Sequence, residues 1–108
     1  MTAKRFVKGD KPTLKFQLTQ NGAARDITGM TFKLTVKQFI TNTVAVIGPV
    51  NGALNDVANG KFSFTLDLTN TAPVRGKMEI AMYDGAGNRT TLTPPGGVDF
   101  SVIENIID

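Results

Sequence analysis

The side chains that carry most enzyme chemistry are scarce in this chain. None of its 108 residues is histidine or cysteine, so the usual acid–base group near neutral pH and the usual thiol nucleophile are both missing. The two serines, Ser63 and Ser101, alternate with apolar residues in strand-like stretches and do not sit in the glycine-flanked turn of a nucleophile elbow. We therefore expect no nucleophilic catalysis.

Paired carboxylates could still act together as general acid and general base. Asp67 and Glu79 are the one pair that the pattern places on outward faces of strands that could be neighbours. Charged side chains in such positions more often keep a sheet soluble and protect its edges from aggregation. We interpret both as surface groups and predict that the protein is not an enzyme.

A second acidic candidate is the segment Asp84-Gly85-Ala86-Gly87-Asn88, which combines a carboxylate, an amide and glycines at short spacing. It lacks the further carboxylates of a calcium loop, and no helical pattern follows its glycines, as a phosphate-binding loop would require. Transition metals prefer histidine and cysteine ligands. The segment predicts a hairpin turn, and we expect neither a metal nor a cofactor.

The net charge of +3 is concentrated near the start of the chain, where Lys4, Arg5 and Lys8 lie close together. Such a cluster could bind phosphate, but the chain has one tyrosine and no tryptophan, too few rings for a base-stacking platform. No apolar run reaches the roughly 18 residues of a membrane span, and the first residues do not resemble a signal peptide. We expect no nucleic-acid partner, no membrane association and no small-molecule substrate.

Alternation of apolar and polar residues predicts strands along most of the chain. The clearest run extends from Phe62 to Leu68, with every second residue apolar. Similar runs cover Thr13–Thr19, Met30–Lys37, Lys77–Tyr83, Arg89–Thr93 and Val98–Ile103, with weaker ones at Phe6–Val7, Val44–Ile47 and Ala53–Val57. Turn signals separate them at Asn21-Gly22, Gly48-Pro49, Thr69–Gly76 and Pro94–Gly97.

About seven to nine short strands without a helical pattern indicate an all-β protein, closed as an antiparallel β-sandwich. A small closed barrel is the alternative architecture. A chain of this length can bury a core without disulfides, so we expect one domain over residues 1–108.

The order and spacing of these elements resemble a known family. The segments that carry the resemblance are Phe6–Phe16, Asp26–Lys37, Asn59–Leu66, Pro73–Ile80, Tyr83-Asp84-Gly85 and Val98–Val102. Together they are similar to the immunoglobulin-like domains of tailed-phage structural proteins, such as the N-terminal domain of baseplate upper proteins. The resemblance implies an immunoglobulin-like sandwich and a non-enzymatic role in the tail or baseplate of a virion, with residence in the host cytoplasm before assembly.

The partners that the resemblance implies are other phage structural proteins or further copies of the same chain. The contact residues that we predict are Ile103, Ile106 and Ile107 in the apolar tail, and Lys4, Arg5 and Lys8 as a basic cluster for an acidic neighbouring surface. The simpler interpretation of the tail is that it completes the last strand against its own core. An alternative function is carbohydrate binding, with Tyr83 as the one aromatic residue placed outward.

Overall fold

The computed structural model describes residues 4–38, 47–69 and 74–103, and every regular element in these ranges is a β-strand. The strands are β1 (Lys4–Val7), β2 (Thr13–Gln17), β3 (Thr19–Gln20), β4 (Ala23–Ala24), β5 (Thr31–Lys37), β6 (Ile47–Asn51), β7 (Ala53–Asp56), β8 (Lys61–Thr65), β9 (Val74–Tyr83), β10 (Arg89–Thr91) and β11 (Val98–Ile103). These ranges contain no helix long and apolar enough to cross a membrane.

Six of the strands form sheet A, in the order β1-β11-β9-β5-β6, with β10 also paired to β9. Strand β9 is long enough to hold two partners on one edge, since β11 pairs with its first half and β10 with its last three residues. All pairs in sheet A are antiparallel except β1 with β11, which run parallel. Sheet A therefore brings the first and the last described strands side by side.

Sheet B has the order β2-β8-β7. The chain passes from sheet A to sheet B between β1 and β2 and again between β6 and β7. Between β1 and β2, Gly9 N donates to Leu68 O at 3.0 Å and Leu68 N donates to Asp10 O at 3.0 Å. Between β6 and β7, Gly52 N donates to Phe32 O at 2.8 Å. Strands that change sheet in this way form the corners of a sandwich, and the two curled sheets enclose one core.

The core is built from the inward residues of both sheets. Phe32, Leu34 and Val36 of β5 face Phe62 and Phe64 of β8, and all five are buried. The rings of Phe32 and Phe62 stack with their centroids 4.0 Å apart. The aromatic contact thus fixes the two sheets against each other at the end of sheet A where β5 begins.

The predicted all-β sandwich is confirmed, and most predicted strands are found. The inward face of the run from Phe62 to Leu68 is also confirmed, although the ladder with β2 stops at Thr65. Leu66 and Leu68 stay buried because their backbones bond to Pro12 and Asp10 instead. The hairpin turn at Asn21-Gly22 has positive φ at both residues, as predicted.

One turn prediction was wrong, and a second was wrong at its end. Gly48 and Pro49 lie inside β6, an edge strand with a register shift against β5, where the missing proline N–H removes no ladder bond. Residues 70–73 of the turn predicted over Thr69–Gly76 lie outside the described ranges, but β9 already includes the last residues of that segment. Arg75 and Gly76 lie inside β9 and pair with Ser101 and Phe100. Residues 44–46 of the predicted strand Val44–Ile47 lie outside the described ranges.

Three further expectations need correction. The sandwich contains one parallel pair, so it is not wholly antiparallel, and its eleven described strands exceed the predicted seven to nine. Alternation with Phe62 and Phe64 predicts that Ser63 lies on the solvated face of its strand, but Ser63 is only 6% exposed. It lies on the central strand of sheet B, between Lys15 and Ala53, and neighbours on both sides cover so small a side chain.

Candidate protein-binding face

The outer face of sheet A is formed by the residues that alternate with the buried ones. Residues paired across strands share a face, so the registers place the charged side chains of β1, β11, β9, β5 and β10 together. This face carries six cationic side chains against two carboxylates among the described residues: Arg5, Lys33, Lys37, Arg75, Lys77 and Arg89 against Glu79 and Asp99. The face is therefore strongly basic.

Both carboxylates on this face are engaged by cations of the same face. Asp99 pairs with Lys77 and Glu79 pairs with Arg89. Partial burial alone would lower the pKa of Arg89, but its hydrogen bond to Glu79 and the charge of that carboxylate outweigh this effect and raise the pKa. The remaining cations, Arg5, Arg75, Lys33 and Lys37, take part in none of the ion pairs among the described residues.

Arg5 and Arg75 lie on either side of Ser101, one strand apart on each side. Arg5 pairs with Ser101 in the register of β1 with β11, and Ser101 pairs with Arg75 in the register of β11 with β9. We call these three residues the arginine row. Neighbouring strands are about 4.8 Å apart, so the two arginine Cα atoms are separated by about 10 Å. Two long side chains at that separation can converge on a single anion above Ser101.

The arginine row lies in a shallow depression of about 440 Å³, which we call the basic groove. Its lining residues are Lys4, Arg5, Arg75, Gly76, Asp99, Phe100, Ser101 and Ile103. The two arginines are exposed, whereas Ser101 and Ile103 are half-buried. The groove thus combines exposed cationic groups with a half-buried hydroxyl and the half-buried aliphatic side chain of Ile103.

Three of the six predicted contact residues, Lys4, Arg5 and Ile103, line the basic groove. Lys8 lies beside it, since Lys8 N donates to Ile103 O at 2.9 Å. The part of the chain that the structure describes does not include Ile106 and Ile107. Arg75 and Ser101 were missed: Arg75 was assigned to a loop, and Ser101 was considered only as a nucleophile. Their signal is the register between β9 and β11, which the sequence does not display.

The carboxylates considered for catalysis are not neighbours. Asp67 follows β8 of sheet B, whereas Glu79 lies on β9 of sheet A, and these strands do not pair. Asp67 accepts hydrogen bonds from the hydroxyl of Thr69 at 2.6 Å and from its N–H at 3.0 Å. The hydroxyl contributes most to lowering the pKa of Asp67, with the N–H second and the charge of Lys11 a smaller contribution. Asp67 therefore stabilises a turn and has no acid–base partner in Glu79.

Asp84 likewise stabilises its own hairpin. Its carboxylate accepts hydrogen bonds from the backbone N–H groups of Ala86 and Asn88, both at 2.9 Å. The bonds from Asn88 are the main cause of the lowered pKa of Asp84. The predicted turn is confirmed by the pairing of β9 with β10. Among the described residues, no group of three or more acidic, histidine or cysteine side chains could hold a metal ion.

Tyr83, the aromatic residue of the carbohydrate-binding alternative, lies on the outer face but does not offer an open ring. It is half-buried, and the Lys33 ammonium lies 5.4 Å from the ring centroid. A sugar that stacks on this face would have to displace the lysine. The geometry does not favour that alternative.

Comparison with known proteins identifies the family of the chain. No curated protein matches the chain. The family model of the BppU N-terminal domain matches residues 2–82, which span β1 to β9 short of Tyr83. Because this match covers most of the 108 residues, the chain belongs to the family of the N-terminal domain of baseplate upper proteins of phages.

Proposed function

We propose that this protein is a non-enzymatic assembly module of a phage tail or baseplate, which joins a neighbouring structural protein through its basic outer face. Family membership supports the place in the baseplate and therefore in the virion. We further propose that residues 1–108 act as one domain, since β11, beyond the family match, lies between β1 and β9 in sheet A.

The observation that carries the proposal is the arginine row. Two exposed arginines flank Ser101 without an ion-pair partner among the described residues, although carboxylates engage Lys77 and Arg89 on the same face. An arginine guanidinium can donate two parallel hydrogen bonds to one carboxylate. An acidic protein surface is the partner that fits such a row.

The partner that we propose is a protein and not a nucleic acid. Aromatic side chains that stack bases are a usual feature of single-strand sites, and the one tyrosine on this face carries Lys33 over its ring. The groove is also flanked by Ile103, which would pack against apolar atoms of a protein partner. Because its charges are exposed, the contact should form quickly and weaken as salt is added.

The test is charge reversal of the row in the presence of the other tail and baseplate proteins of the same phage. The variant Arg5→Glu with Arg75→Glu is co-expressed with them, and bound proteins are identified after size-exclusion chromatography. We expect at least one acidic structural protein to co-elute with the unmodified chain and to be lost from the variant.

A matched control carries Lys15→Glu with Lys61→Glu, the same change in charge at exposed positions of sheet B. It should retain the partner. Equal retention by both variants, or equal loss, would exclude the arginine row as the contact. Binding of duplex or single-stranded DNA by the unmodified chain, abolished in the row variant, would replace the protein partner with nucleic acid.

A further inference from the structure

A second depression lies at the opposite end of sheet A from the basic groove. It measures about 360 Å³, and its lining residues are Met30, Thr31, Phe32, Lys33, Asn51, Gly52 and Leu54. Leu54 is 44% exposed and Val57 is 36% exposed, which makes them the large apolar side chains most open to solvent among the described residues. Clustered exposed apolar residues mark contact sites.

The cluster is held together by one short turn. Ile27 N donates to Val57 O at 2.9 Å, and Met30 N donates to Ile27 O at 3.0 Å. The backbones of Val57 and the half-buried Met30 are therefore both bonded to that of the buried Ile27, and Met30 lines the depression together with Leu54 of β7. We call Met30, Leu54 and Val57 the apolar corner.

The sequence contains one segment whose chemistry fits the apolar corner. Ile106 and Ile107 are adjacent apolar residues, with Glu104 before them and Asp108 after them. Lys33 is the one charged residue that lines the depression, and it is opposite in sign to both carboxylates. Apolar side chains for the corner and a carboxylate for Lys33 thus occur within five residues.

This segment cannot reach the apolar corner of its own chain. Val102, next to Ile103, pairs with Val74 at one end of β9, whereas Thr31, next to Met30, pairs with Tyr83 at the other end. Nine residues of extended strand separate these ends by about 30 Å. Ile107 is four residues beyond Ile103 and can lie at most about 14 Å from it. The occupant must come from another molecule.

We propose that the apolar corner binds the Ile106-Ile107 segment of a second copy of this chain, head to tail. The two surfaces of such a contact differ, so in a pair one copy keeps its segment free and the other keeps its corner free for a further neighbour. Repetition closes a ring or extends a row of copies. This self-association uses none of the arginine row, so its failure would leave the proposed function untouched.

Two full-chain variants test the proposal. Leu54→Asp alters the corner and Ile106→Asp alters the segment, while Asn55→Asp and Asn105→Asp add the same charge at adjacent positions as controls. Solution mass is measured by light scattering across protein concentration. We expect the unmodified chain and both controls to associate as concentration rises, and both test variants to remain monomeric, with at least a tenfold weaker association.

Mixing the two test variants gives the sharper result. The Leu54→Asp chain retains an intact segment and the Ile106→Asp chain retains an intact corner, so an equimolar mixture should form a species of two chains and no larger one. A mixture that stays monomeric, while the unmodified chain associates, would overturn the head-to-tail contact in favour of a contact between identical surfaces.

A second measurement tests the proposal even if self-association is weak or if Leu54→Asp disturbs the fold. A synthetic peptide with the sequence of residues 103–108 is added to the ¹⁵N-labelled Ile106→Asp chain, whose corner is unmodified. Shifts of the amide signals of Met30, Lys33 and Leu54 would support the proposal even for a monomeric chain. Shifts confined to other residues, or no shifts together with a strictly monomeric chain, would refute it.

Discussion

The inner and outer faces of sheet A are built from alternate residues of the same strands. On β5, Phe32 and Leu34 point inward and are almost completely buried, while Thr31 and Lys33, which alternate with them, are exposed. The inner face holds the sheets together by apolar contact, whereas the outer face carries charges that contribute little to folding. Stability and binding should therefore respond to different substitutions only one residue apart.

The largest effect should come from truncation on the inner face. Phe32→Ala removes the ring that stacks on Phe62 at 4.0 Å and leaves a cavity, so we expect a loss of roughly 3–5 kcal/mol in the free energy of unfolding. Thr31→Ala, on the exposed face of the same strand, should change it by less than about 0.5 kcal/mol. Denaturant unfolding measures the free energy of unfolding of both variants, provided that its dependence on denaturant concentration is the same as in the unmodified chain. Similar losses in the two variants would contradict the division between the faces.

A smaller loss is expected where two strands approach too closely for a side chain. A Cβ atom at Gly76 would overlap the carbonyl oxygen of Lys37 on β5, so the backbone would have to move. Gly76→Ala should cost about 1–3 kcal/mol of stability. Gly85→Ala is the control, because a Cβ atom there meets nothing within 4 Å. Equal melting temperatures of the two variants would show that β5 and β9 can separate without cost.

Acid should weaken the connections that join the strands. The pKa values of Asp26, Asp67 and Asp84 are lowered from 3.8, mainly by hydrogen bonds from Thr28, Thr69 and Asn88 respectively. Groups with a lowered pKa stabilise the folded state above their ordinary value, and this contribution is lost as pH falls through the lowered pKa. Stability should therefore decline below about pH 4.

The variant Thr69→Val tests the contribution of one hydrogen bond to the pKa of one carboxylate, that of Asp67. It removes the hydroxyl donor to Asp67 at 2.6 Å, so the pKa of Asp67 should return toward 3.8 while that of Asp84 stays lowered. Carboxyl NMR titration measures both in one sample. An unchanged pKa of Asp67 would mean that the hydroxyl does not hold its carboxylate.

The smallest effect on stability should come from the arginine row. Arg5→Gln with Arg75→Gln removes two like charges that flank Ser101, so the free energy of unfolding should change by less than about 0.5 kcal/mol, with a slight gain at low salt. Partner binding should nevertheless fall. A loss of stability above about 1 kcal/mol would assign the row a structural role instead.

Local patterns predicted the strands but not their neighbours. Met30–Lys37 and Val98–Ile103 were recognised because one face of each is buried, and the Asp84–Asn88 turn because its residues favour a tight hairpin. Arg75 was assigned to a connection since Pro73 and Gly76 are turn residues, yet Gly76 is required inside β9 by the closeness of β5. Such contacts between distant strands leave no local pattern.

The candidate site was harder to predict for the same reason. The basic cluster at Lys4, Arg5 and Lys8 is visible in the sequence, but its completion by Arg75 and Ser101 depends on the parallel pairing of β1 with β11. Antiparallel pairing would give β1 a different register and a different neighbour for Arg5. The direction of one edge strand therefore decides whether the arginine row exists.

That parallel pair also decides how the molecule would resist tension. Lys4 pairs with Phe100 at one end of the ladder and Val7 pairs with Ile103 at the other. A pull applied at the start of β1 and at the end of β11 acts along the strands in opposite directions, so the registered pairs are sheared together. A pull on the two open ends of the β9–β10 hairpin would instead separate its antiparallel pairs one after another. If the domain is anchored through one of these two strands and pulled through the other, all registered pairs of β1 with β11 must break together. This pair of strands should therefore separate at a higher force than the β9–β10 hairpin.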